Sequence, residues 1–88
     1  MGGGVNGKPS PKELVDLGVK SIEAKDYIQA KKYFEKACDL NNGSGCGTLG
    51  FLYGMGKGVE KNLIKADQYI SKACKLGDQE ACEALKEK

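Results

Sequence analysis

The sequence repeats itself at a spacing of 36 residues, and few folds are built on such a period. That shift superposes Tyr33 on Tyr69, Lys36-Ala37-Cys38 on Lys72-Ala73-Cys74, and Leu40 on Leu76. It also superposes Cys46 on Cys82, Leu49 on Leu85, Ala30 on Ala66 and Ile28 on Ile64. A unit of this length is one supersecondary element that leaves part of its own apolar face bare. Stacking the copies covers it.

The punctuation between the repeated positions is helical. Ser10-Pro11-Lys12-Glu13 predicts a helix start: Ser10 caps, Pro11 fits the first helical position, and Glu13 closes a capping box. Leu14, Leu17, Gly18 and Ser21 follow on one face. Lys25-Asp26 marks a turn, and Asp26 caps a second helix with Tyr27, Ala30, Phe34, Ala37 and Leu40 inward, Tyr33 and Cys38 beside them. Asn41-Asn42-Gly43 ends it. A third helix starts near Ser44 and carries Cys46, Leu49, Gly50 and Tyr53, until Gly54, Gly56 and Gly58 break it. Asn62 caps a fourth, with Leu63, Ala66, Tyr69, Ile70, Ala73 and Leu76 inward. Gly77 stops it, and Asp78 starts a short fifth helix through Ala81, Cys82 and Leu85. No segment alternates as a strand does, so the chain reads as all-α.

Composition narrows the function. All 14 basic residues are lysines against 12 acidic residues, a net charge of +2, with no clustered basic face for nucleic acid. There is no His, which removes the commonest general base and the commonest zinc ligand together. No apolar run approaches the ~18 residues of a membrane span. These features point away from most enzyme classes and towards a binding or structural module, with no cofactor. Residues 1–9 are rich in Gly and without apolar period, and read as a flexible leader before a repeat domain over 10–88. The leader has no apolar stretch of the kind a signal peptide needs.

Four cysteines permit three pairings. Cys38 and Cys46 bracket one inter-helix turn, and Cys74 and Cys82 bracket its equivalent. Adjacent ends of an antiparallel helix pair meet disulfide distances, which favours these two bridges. In a chain-entropy picture each small loop contributes ~2–3 kcal/mol. A zinc site is disfavoured by the spacing and the absence of His, and a redox site would want two intervening residues rather than seven.

Leu49-Gly50-Phe51-Leu52-Tyr53, then Gly54-Met55-Gly56-Lys57-Gly58-Val59, then Ala66 and Lys72-Ala73, resembles a Sel1-like repeat, a relative of the tetratricopeptide repeat with a longer inter-helix loop. The first hairpin, from Leu17-Gly18 through Asp26-Tyr27 to Ala30, resembles the shorter tetratricopeptide form. The cysteine spacing is similar to that of the Helicobacter cysteine-rich proteins. The resemblance covers about residues 11–88. It implies a right-handed α/α solenoid of two hairpins and a C-terminal capping helix. It implies the same two disulfides, Cys38–Cys46 and Cys74–Cys82, and a secreted or periplasmic location. Members of that family have been linked to penicillin binding and weak β-lactamase activity. Such chemistry usually needs a Ser with Lys three residues on, and none of Ser10, Ser21, Ser44 and Ser71 has one.

In such arrays the first helix of each hairpin lines a concave surface. With Gly18 aligned on Gly50, the concave positions are Lys12, Val15, Val19, Ile22 and Glu23, then Gly47, Phe51, Gly54 and Met55. Val15, Val19, Ile22, Phe51 and Met55 form an apolar floor, and Lys12 and Glu23 a charged rim. An exposed patch of this kind marks a contact surface. The expected function is recognition of a protein or peptide partner on this face, without catalysis, nucleic acid or membrane; the first alternative, implied by the resemblance, is a secreted repeat protein with penicillin-binding or weak β-lactamase activity, and the second is self-association. A short chain, a Gly-rich leader and an apolar concave face together read as a trimmed or engineered binder. Gly54-x-Gly56-x-Gly58 superficially resembles a phosphate-binding loop, but it follows a helix in an all-α chain and reads as a turn. Asn42-Gly43-Ser44 fits a glycosylation sequon, and reads better as a helix end.

Overall fold

A computed structural model describes residues 8–87 and contains five helices and, among these residues, no strand. They are α1 (Pro11–Glu23), α2 (Tyr27–Asp39), α3 (Gly43–Met55), α4 (Leu63–Lys75) and α5 (Gln79–Lys86). Apart from Lys8 and Pro9, the expected leader lies outside the described residues.

Every helix starts where a short polar side chain satisfies a free amide. Ser10 Oγ accepts from Glu13 N–H, and Ser10 N–H donates back to Glu13 Oε1 at 2.7 Å. Asp26, Asn42 and Asn62 each accept from the amide three residues on. Asp78 Oδ1 accepts from the amides of Glu80 and Ala81. A cap of this type contributes about 1 kcal/mol. Asn42, read from the sequence as the end of α2, is the N-cap of α3, and α2 ends at its C-cap Leu40. The Gly-rich segment is a turn: Gly56 closes α3 in the left-handed region at φ 71°, and Lys57 Nζ sits 5.1 Å from the Tyr27 ring centroid.

Helices pack with their neighbours in chain order, α1 on α2, α2 on α3, α3 on α4 and α4 on α5, with α1 also touching α3. This nearest-neighbour pattern is what a solenoid requires. The core runs through the stack as Ala30, Phe34, Cys38, Cys46, Leu49, Leu52, Tyr53, Ala66, Ile70, Ala73 and Ala81. Repeat symmetry extends to packing detail. An added Cβ on Gly18 would lie 2.7 Å from the Phe34 ring; on its equivalent Gly50 it would lie 2.7 Å from Ile70 Cγ1. Phe34 and Ile70 are themselves equivalent, so one notch-and-knob contact closes both hairpins.

The disulfides are Cys38–Cys46 and Cys74–Cys82, with Cα separations of 4.5 and 4.7 Å. Four residues expected inside are exposed: Leu17 (37%), Leu40 (54%), Leu63 (62%) and Leu76 (40%). Leu17 is instructive. Its repeat equivalent Leu49 is fully buried in a helix that packs on α2 and α4, whereas among the described residues no helix lies before α1 to pack over Leu17. Leu40 and Leu76 are the C-cap residues of α2 and α4, and Leu63 opens α4, so all three lie at helix ends beyond the packed turns. Leu52, absent from the expected core, is buried because α3 lies between α2 and α4 and is covered on most of its circumference.

Candidate recognition surface

The helix advances about 100° per residue at 3.6 residues per turn. On α3 this puts Ser44, Thr48, Phe51 and Met55 on one face, and Gly47, Gly50 and Gly54 on a face about 100° round from it. The two faces meet different surroundings. Added Cβ atoms on Gly50 and Gly54 would meet α4, at Ile70 and Ala66. On Gly47 one would meet Asp78 Oδ2 at 2.7 Å and Ala73 Cβ at 3.6 Å. Phe51 and Met55 instead stay 39% and 60% exposed.

The same division holds on α1. Lys12, Val19 and Glu23 are exposed, as is Asp16 between them. Val15 and Ile22 are half-buried and pack against the core cluster. Nine residues were expected on one concave surface, and they sort into two groups. Lys12, Val19, Glu23, Phe51 and Met55 face solvent. Val15 and Ile22 pack against the core, and Gly47 and Gly54 face α4. Gly47 is buried, so its contribution is close packing under the N-cap of α5. Asp16, Thr48 and Ser44 belong to the open face by register, and the i, i+4, i+7 spacing of the apolar residues hid them.

The contact between Gly47 and Asp78 brings the N-cap of α5 against the side of α3 that faces α4. By the 36-residue equivalence, Ser44, Thr48 and Phe51 correspond to Glu80, Ala84 and Glu87. The three first-position helices therefore differ in charge. α1 is mixed, α3 has no charged residue, and α5 with its C-cap shows exposed Glu80, Glu83 and Glu87. The lysines lie elsewhere: α2 and α4 together hold six of them against three carboxylates.

Perturbed titration is found on those outer helices. Lys31 is raised above its ordinary value by its hydrogen bond to Glu35, 3.0 Å away. Tyr69 is raised chiefly by burial, its ring stacked 5.6 Å from that of Tyr53. The first is a contact within α2, and the second packs α3 against α4. Among the described residues, no group of three or more His, Cys, Asp or Glu could hold a metal ion. None of the described helices is long and apolar enough to cross a membrane.

Residues 17–42 and 48–78 match the profile of the Sel1 repeat. The chain is 62% identical to HcpC of Helicobacter pylori (strain J99) over 61 residues, covering 69% of this chain and 21% of HcpC. It is 52% identical over 60 residues to a protein of the same strain named "Beta-lactamase HcpA", covering 68% of this chain and 24% of that one. The solved structure of Helicobacter pylori cysteine rich protein B is similar with a TM-score of 0.80 and 37% identity, over 84% of this chain and 59% of that one. The chain thus spans about a fifth of the length of the curated relatives it matches.

Proposed function

Because the chain belongs to the Sel1 repeat family, we propose that it is a protein-recognition module that binds a protein or peptide on the face made by α1, α3 and α5. One observation carries the reading: Val19, Phe51 and Met55, at 43%, 39% and 60% exposure, lie on neighbouring helices and leave their apolar surface to solvent. Such a patch gains most when a partner covers it. Phe51 serves as the anchor contact, and Met55 adapts to the partner's shape. The partner carries an apolar side chain for this floor and basic residues for Glu80 and Glu87. Lys12 and Glu23 steer at the rim. Two disulfides suit a secreted or periplasmic setting, where such bonds persist.

The test is a Val19→Glu, Phe51→Glu variant. Both side chains are substantially exposed, so its unfolding free energy is expected to stay within about 1 kcal/mol of the parent, measured by urea denaturation without reductant. A partner captured by the parent in a pull-down is expected to be lost by the variant. A stable variant that still captures it would move the site to the outer helices or the loops.

The name of HcpA favours a second reading, in which the chain handles β-lactams. Ser71 is the serine best placed for it, beside Lys72 and Lys75 at a surface depression of about 420 Å³ on α4. Turnover of a chromogenic cephalosporin that disappears in Ser71→Ala would establish this reading. Absence of turnover by the parent removes it.

A further inference from the structure

The two disulfides occupy equivalent positions in the repeat but differ in exposure and in what else holds their helices. Cys38 and Cys46 are 1% and 0% exposed. Cys74 and Cys82 are both only half-buried. The difference follows from the stack. The first bridge lies between α2 and α3, which α1 and α4 flank on either side. The second ties α4 to α5, and no helix lies beyond α5 among the described residues.

The helices they hold are also unequal. α3 buries Gly45, Cys46, Gly47, Leu49, Gly50, Leu52 and Tyr53. α5 has 8 residues and fully buries one of them, Ala81. A helix this short is not stable by itself in water, because the cost of nucleation is spread over too few hydrogen bonds. Ala84 and Leu85 are partly buried against the core and add modest adhesion.

We propose that Cys74–Cys82 is a thiol–disulfide exchange site for small-molecule thiols, and that its opening releases α5 from the stack. Exchange needs an approaching thiolate to reach a disulfide sulfur, so exposure sets the order in which bridges open. The thiolate attacks Cys74 Sγ. A mixed disulfide forms there, the Cys74–Cys82 bond breaks, and the electron pair leaves on Cys82 as thiolate. Cys82 lies in the first turns of α5, where the helix N-terminus favours negative charge. A second thiolate then attacks the thiol's own sulfur in the mixed disulfide and leaves Cys74 as a thiolate. One disulfide of the small thiol is made for each protein disulfide broken, and both cysteine thiolates take protons from water. Cys38–Cys46 stays closed, so α1 to α4 keep their packing while α5 loses its tether.

The experiment is differential alkylation of the whole chain. The protein is incubated with graded reduced glutathione, quenched with iodoacetamide, digested and mapped. Cleavage after lysine puts Cys38 and Cys46 in one peptide and Cys74 and Cys82 in two others. Labelling of Cys74 and Cys82 is expected at least about tenfold faster than that of Cys38 and Cys46. Equal rates, or earlier labelling of the first pair, would overturn the proposal. Hydrogen exchange supplies the second readout, on a Cys74→Ser, Cys82→Ser variant. Amides of residues 79–86 are expected to lose protection while those of α2 and α3 keep it. Retained protection in α5 would show that the bridge is not what holds it. The alkylation order is read on the parent chain and stands even if that variant folds poorly.

Discussion

Phe34→Ala is expected to lower the unfolding free energy by about 3–5 kcal/mol, the range for removing a fully buried aromatic ring. Phe34 has no exposed surface. Its ring lies against the Cα of Gly18, where an added Cβ would come within 2.7 Å of Cε2 and Cζ. Deletion therefore opens a cavity between α1 and α2 that neither backbone can close without losing its other contacts. A domain of this size has about 5–15 kcal/mol in total, so about a fifth of it or more is at stake. The notch supplies an internal control. Gly18→Ala alone is expected to destabilise by overpacking, about 1–3 kcal/mol. In the Phe34→Ala background the same methyl enters the cavity, and its cost is expected to fall or reverse. Denaturant melts of the four proteins give the coupling directly. Additive effects would mean that Gly18 and Phe34 do not meet as described.

Replacing Cys38 and Cys46 together by Ala has the second-largest expected effect, about 2–4 kcal/mol. Chain-entropy arithmetic for a loop of this size gives about 2.5 kcal/mol. The sulfurs are also fully enclosed, so their loss removes packing as well as the tether. The bridge joins the helices at the centre of the stack, and its removal is expected to lower the midpoint of the whole cooperative transition. The equivalent change at Cys74 and Cys82 is expected to act mainly on α5. A urea series without reductant, followed by circular dichroism, separates the two. A loss below about 1 kcal/mol at the central bridge would contradict the assignment of its stabilising role.

Much of this architecture was legible before any coordinates. The caps were readable because Ser10, Asp26, Asn42, Asn62 and Asp78 act within three residues of themselves, where sequence spacing and spatial distance are nearly the same thing. The disulfides were readable because the repeat places each pair across one turn. What was not legible is which neighbour each helical face meets. Gly47 and Phe51 sit four residues apart and seem to share a stripe. Their directions differ by about 40°, enough to send one under Asp78 and leave the other in solvent. In a solenoid a helix uses separate faces for the preceding helix, its own partner and the groove. Apolar periodicity marks a face as covered without saying by what. Leu17 makes the same point at the end of the stack. Its pattern is that of Leu49, yet it is 37% exposed where Leu49, with α2 packed before its helix, is fully buried.

The acidic character of α5 was missed for a different reason. Glu80, Glu83 and Glu87 look like ordinary solvated helix surface when read alone. The repeat register sets Glu80 and Glu87 beside Phe51 and the uncharged α3, while Glu83 takes the position of Gly47. The charge of the chain as a whole conceals this, since the lysines of α2 and α4 outweigh it on the other side.

The central claim is that recognition occurs on the face of α1, α3 and α5. The most direct measurement is a heteronuclear NMR titration of the chain with a peptide selected on it from a displayed random library. The amides of Val19, Phe51 and Met55 are expected to shift, with those of Glu80 and Glu87 joining them, and the selected peptides are expected to pair an apolar side chain with Lys or Arg. Shifts at Val19, Phe51 and Met55 with no basic residue among the peptides would keep the face and discard the partner chemistry. Shifts confined to α2 and α4 would contradict the account.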